Sequence, residues 1–102
     1  GRGRLVDVSM LDCQIAILEN AVARFAVTGV APGPLGARHP SITPFAAYAC
    51  ADGHVVIAAG NDALWGKLRA ALGIADDARF ASNASRTEHA DAVAAAIEAA
   101  IA

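Results

Sequence analysis

Between Leu11 and Phe25 the apolar residues recur at steps of three and four. Leu11, Ile15, Leu18, Val22 and Phe25 fall on one stripe, the period of an α-helix. Met10, Ile17 and Ala21 widen that stripe, so the helix is expected to bury much of its circumference. Asp12, Gln14, Glu19, Asn20 and Arg24 are its polar remainder. Ser9 suits the N-cap, with Asp12 as a reciprocal partner three residues on, and Gly29 suits a left-handed stop. Ahead of the helix, Leu5 to Val8 reads as a short apolar strand.

The pattern changes after Gly29. Val30 to Thr43 contains Ala31-Pro-Gly-Pro-Leu-Gly36 and reads as a linker, because that run propagates neither helix nor sheet. Phe45 to Ala51 and His54 to Ala59 lie either side of Asp52-Gly53. That pair is a two-residue hairpin signal, since a type I′ turn needs positive φ at both central positions. Gly60-Asn61-Asp62 then opens a helix, with Asn61 as its cap and Asp62 at the positive end of its dipole. This helix runs to Leu72 with Trp65, Leu68 and Leu72 on one face and Gly73 as its stop. Asp76 to Phe80 predicts a turn or a short 3₁₀ segment. A last helix spans about Glu88 to Ile101, with Val93, Ile97, Ala100 and Ile101 inward. The expected fold is α+β: a strand and long helix over 1–29, a Pro/Gly linker over 30–43, then a β-hairpin and two helices over 44–102.

Composition sharpens this picture. Of 102 residues, 56% are apolar, which excludes disorder. Yet 27 are Ala, so large core side chains are few and the piece is expected to lean on partner surface. The net charge of −2 comes from interspersed residues with no basic stripe, which argues against nucleic acid. No apolar run approaches membrane-spanning length, and residues 1 to 10 lack the character of a secretory signal. A chain that opens on Gly-Arg-Gly-Arg without Met is expected to be a fragment or a processed product. Cys13 and Cys50 form no Cys-x-x-Cys or zinc spacing, so they read as reduced thiols of a cytoplasmic protein, with no metal site.

Several short motifs stand in a fixed order: Pro44, Phe45 and Tyr48; Asp52-Gly53; Gly60-Asn61-Asp62 and Trp65; Arg79-Phe80, Asn83 and Arg86. With the opening Gly1-Arg-Gly-Arg-Leu-Val-Asp-Val-Ser-Met10, they resemble the family III CoA-transferases, the CaiB/BaiF group that includes formyl-CoA transferase. The resemblance covers the whole chain but only a minor part of a full family member. It implies the end of a large domain over 1–29 and a small domain over 44–102, in a homodimer of interlocked chains. It also implies an activity: CoA moves between an acyl-CoA and a carboxylic acid through an aspartyl anhydride and an aspartyl thioester. No covalently bound cofactor is implied; the CoA thioester is substrate. By the motif the nucleophilic Asp lies upstream of this segment, so no catalytic residue is assigned here and the segment alone is expected to be inactive. Two rivals stay open: the racemase branch of the same superfamily, acting on 2-methylacyl-CoA, and a non-catalytic assembly module.

Each residue able to carry chemistry has a plainer reading beside it. Asp7 fits a structural place at the strand-to-helix junction. Asp76 and Asp77 are adjacent and read as solvated capping carboxylates. His39, His54 and His89 have no helical metal spacing. Asn61 and Asp62 read as a helix start; Asp62 also stands three residues before Trp65, where the racemase branch carries a Glu. Trp65 reads as a core anchor. Arg38 and His39 form the one cationic cluster on the linker. They read either as plain linker or as a contact for substrate or CoA, whose phosphates Arg binds well.

Overall fold

A computed structural model describes residues 1–102. Its chain contacts separate two compact units, Gly1–Pro34 and Leu35–Ala102.

The first unit holds two helices, α1 (Met10–Ile17) and α2 (Glu19–Thr28). The Ser9 hydroxyl accepts from the Asp12 amide at 3.3 Å, the expected cap, but the Asp12 carboxylate does not return the bond. Gly29 stops α2 at φ 69°, where a side chain is strained. One long helix was expected, and the chain breaks at Leu18 instead. There the amide is shared between the carbonyls of Gln14 and Ile15 at 3.3 and 3.1 Å, and the ladder resumes with Val22 on Leu18. No Pro or Gly at the break accounts for it.

One further expectation fails in this unit. Leu5 to Val8 has no regular secondary structure, because the sheet of this chain is the later hairpin alone. The apolar stripe exists, yet α1 and α2 bury no residue. Two short helices and coil have no second layer on which to pack a stripe.

The second unit carries the hairpin β1 (Phe45–Cys50) and β2 (Gly53–Ala58), then α3 (Asp62–Leu72), a 3₁₀ turn (Ala78–Phe80), α4 (Asn83–Glu88) and α5 (Ala90–Ile101). The strands pair antiparallel from Phe45↔Ala58 to Cys50↔Gly53. The hairpin tip is therefore Ala51-Asp52, one residue before the predicted pair. No residue other than glycine has positive φ, so there is no type I′ turn. Gly53 alone takes the unusual value, φ 158°.

Tyr48, Trp65, Phe80, Val93 and Ile97 make the buried cluster, flanked by Ala46, Ile57, Leu68 and Leu72. Tyr48 and Ala46 share the inner face of β1 by the period-two alternation of a strand. Val93 and Ile97 lie one turn apart on α5, whereas Ala100, expected inward, is exposed. Asn61 caps α3 by accepting from Leu64 at 2.9 Å, and Gly73 ends it at φ 67°. The short α4 was not foreseen.

Candidate functional site

The motif residues converge on a buried guanidinium. Ser82 caps α4 through the Ser85 amide, which fixes Asn83 as its first residue. Asn83 and Arg86 are three apart and so share a helix face. Both reach the segment before the hairpin. The Asn83 Oδ1 accepts from the Thr43 amide at 3.1 Å, and its Nδ2 donates to the Ser41 carbonyl at 2.9 Å. Arg86 has no exposed surface. Its Nε donates to the Thr43 carbonyl at 2.8 Å, Nη1 to the Phe80 carbonyl at 2.9 Å and Nη2 to the Asp62 Oδ1 at 2.7 Å.

Aromatic rings close the knot. The Arg86 guanidinium lies 5.4 Å from the Trp65 ring centre, and Phe80 meets Trp65 edge-on at 5.8 Å. Both geometries are attractive. The Gly-Asn-Asp-x-x-Trp and Arg-Phe-x-x-Asn-x-x-Arg motifs are thus one structural device. Asp62 serves as Arg86's counter-ion and Trp65 is the core anchor it was read as. The motif names Arg86 without its role; the signal for that role is the Asn-x-x-Arg spacing, which puts two polar side chains on one side of a turn.

Arg38 and His39 sit differently from each other. Arg38 stands at a cleft of about 220 Å³ whose walls include Ala47, Tyr48, Ala90, Ala94 and Glu98. Its Nη1 meets Asp91 at 3.0 Å, both side chains well exposed. The His39 ring stacks on Phe45 at 5.2 Å, nearly parallel. Its Nδ1 accepts from the Ser41 amide at 3.2 Å, and its backbone amide donates to the Phe45 carbonyl. Residues 38–43 are therefore tied to the strand and the helices of their own unit.

Electrostatics inside the cleft are mixed. Burial pushes the Tyr48 phenol up; the Arg38 charge pulls it back and the Glu98 charge adds to the rise. Glu98 also accepts from the Ala49 amide at 3.0 Å.

The other candidates take their plainer roles or none. Asp77 caps the 3₁₀ turn and grips Arg79 at 2.6 Å, and Asp76 pairs with Arg69 at 3.1 Å. His89 precedes α5 with its Nδ1 2.9 Å from the Ser85 carbonyl. Asp7 and His54 are exposed, as is Cys13, while Cys50 is half-buried and unpaired. No group of His, Cys, Asp and Glu is arranged to hold a metal, and no helix is long and apolar enough to cross a membrane.

A family model described as CoA-transferase family III matches residues 1–102. The chain is 39% identical over 92 residues to a succinate–glutarate CoA-transferase of Agrobacterium fabrum, a match covering 87% of this chain and 23% of that protein. It is 39% identical over 104 residues to an acetyl-CoA:oxalate CoA-transferase of Acetobacter aceti, covering 99% of this chain and 27% of that protein. A solved CaiB/BaiF family protein from Brucella suis superposes with a TM-score of 0.70 at 34% identity, covering 98% of this chain and 27% of that one. The chain spans about a quarter of the length of the curated relatives it matches.

Proposed function

The chain belongs to CoA-transferase family III, and from that premise we propose that it is part of an enzyme that moves CoA from an acyl-CoA to a short dicarboxylic acid. The observation that carries this reading is a match along all 102 residues to a family whose similar members are named for succinate, glutarate and oxalate.

The proposed chemistry balances without a redox step. An enzyme aspartate attacks the donor thioester, the C–S bond breaks, and a mixed anhydride forms as CoA leaves as its thiolate. The thiolate attacks the aspartyl carbonyl, releasing the donor acid and leaving an enzyme thioester. The acceptor carboxylate attacks that thioester, its C–S bond breaks, and a second anhydride forms as CoA thiolate is freed again. CoA thiolate then attacks its acyl carbon, forming the new acyl-CoA and restoring the aspartate. None of the residues above supplies that nucleophile.

In this reading residues 1–29 close a large domain, 30–43 link, and 44–102 form a small domain. Arg38 and His39 contact substrate or CoA, with the Arg38 guanidinium available to an anion because its bond to Asp91 is exposed and weak. The protein is taken as a cytoplasmic homodimer of acyl-CoA metabolism.

The test uses the full-length polypeptide that carries this chain. Succinyl-CoA is incubated with glutarate, oxalate and other dicarboxylates, and new CoA esters are resolved by chromatography. Transfer to at least one acid is expected; hydrolysis alone, or no reaction across the panel, overturns the reading.

A further inference from the structure

Within these 102 residues the outer edge of β1 is closed at two rungs and open at one between them. Ala59 donates to the Pro44 carbonyl, so the even positions of β1 turn their backbone groups toward β2. The odd positions, Phe45, Ala47 and Ala49, turn theirs outward, as antiparallel geometry requires. The Phe45 carbonyl accepts from the His39 amide at 2.8 Å. The Ala49 amide donates to Glu98 at 3.0 Å. No hydrogen bond reaches the Ala47 amide or carbonyl on that edge, and Ala47 lines the cleft at whose side Arg38 stands.

We propose that this open rung is a binding site for the β-alanine amide unit of CoA's pantetheine arm, held as a one-rung β-bridge to Ala47. The inference rests on the CoA-transferase reading above and names the part of the substrate that this unit would take. Three observations select the occupant. His39 on one side and Glu98 on the other leave no second rung, so an added peptide strand has nothing to continue on, whereas a single amide unit needs no more. The cleft of about 220 Å³ exceeds several times the ~30 Å³ share of one water, which suits a short chain segment between walls of Ala90 and Ala94. The charged groups that line it are Arg38 and Glu98, one of each sign, and Asp91 pairs with Arg38 from beside it. That balance disfavours a bare anion inside and favours a neutral amide, leaving Arg38 at the rim for a phosphate.

Two measurements on the full-length protein test the site. Hydrogen–deuterium exchange resolved to Ala47 is recorded with and without CoA. Slowed exchange of the Ala47 amide on CoA addition is expected. CoA binding that leaves Ala47 unprotected overturns the site while the CoA-transferase reading stands; absence of any CoA binding overturns both. Protection of Ala47 without CoA, whether or not it rises with protein concentration, assigns the rung to polypeptide and overturns the proposal.

The second measurement is kinetic. Ala47→Pro removes the outward amide and spares the bonds to β2, a substitution an edge strand accommodates. With an acyl-CoA donor its KM is expected to rise about three- to tenfold, the loss of roughly one hydrogen bond. With a short acyl thioester that lacks the β-alanine unit, its KM is expected to equal that of the unsubstituted protein. An unchanged KM for acyl-CoA, or an equal rise for both donors, overturns the site.

Discussion

Arg86 and Asp62 meet at 2.7 Å across a boundary between interior and solvent: the guanidinium is fully buried and the carboxylate side chain is 62% exposed. The pair is therefore lopsided. Asp62 loses little hydration by taking part, whereas Arg86 depends on every partner it has.

The two partners should not be equivalent on substitution. Arg86→Ala strands the Thr43 and Phe80 carbonyls and opens a hole beside Trp65, with an expected loss of about 3 kcal/mol. Asp62→Asn keeps a hydrogen-bond acceptor and both carbonyl contacts, and should cost about 1 kcal/mol. Urea unfolding of the three proteins measures the order. Equal losses would contradict the hub role of Arg86.

Asn83 grips the 41–43 segment with both ends of its amide. Asn83→Asp keeps the acceptor for the Thr43 amide but sets an oxygen against the Ser41 carbonyl. A loss of about 1 to 2 kcal/mol is expected for Asn83→Asp and for Asn83→Ala alike. Unfolding midpoints that match the unsubstituted protein in either variant would remove the clamp from the account.

Acid should find Asp77 late. Its side-chain bond to Arg79, and then the Arg79 amide, hold its carboxyl down to about 2. A depressed carboxyl stabilises the fold above the ordinary Asp value of about 3.9, and that contribution is lost as pH falls through about 2. Carboxyl chemical shifts followed by NMR should show the low midpoint, and Arg79→Ala should raise it toward the ordinary value. A midpoint that ignores Arg79 would refute the assigned cause.

The purified 102 residues are expected to transfer no CoA between succinyl-CoA and any dicarboxylate, because the proposed reading puts the nucleophilic aspartate outside this segment. Detectable transfer above a no-protein control would overturn the assignment of the aspartate to chain outside this segment.

Much of this architecture was legible in local chemistry. Ser9, Asn61 and Gly73 mark helix ends because caps and left-handed stops select few residue types. Trp65, Val93 and Ile97 are core because their spacing matches a helix face. What stayed hidden depends on tertiary context. Leu5 to Val8 has strand composition, but a strand exists only with a neighbour. The α4 segment has no apolar period to betray it. In the sequence Arg86 is visible only as a motif member, since a charged residue is almost never fully buried unless paired, and two of its three hydrogen-bond partners, Asp62 and Thr43, lie 24 and 43 residues away. The cleft beside Arg38 was invisible for the same reason: it is made by α5 passing the edge of β1.

The uncovered row along α1 and α2 also shapes how this protein is made. Leu11 is 69% exposed, and Leu18, Val22 and Phe25 are each about half exposed. A newly synthesised chain displaying such a row is what chaperones retain and what self-association consumes. Made alone, these 102 residues are therefore expected to give a yield set by a race between sheltering that surface and losing the molecule to clumps, more than by how tightly the five-residue cluster around Tyr48 is packed.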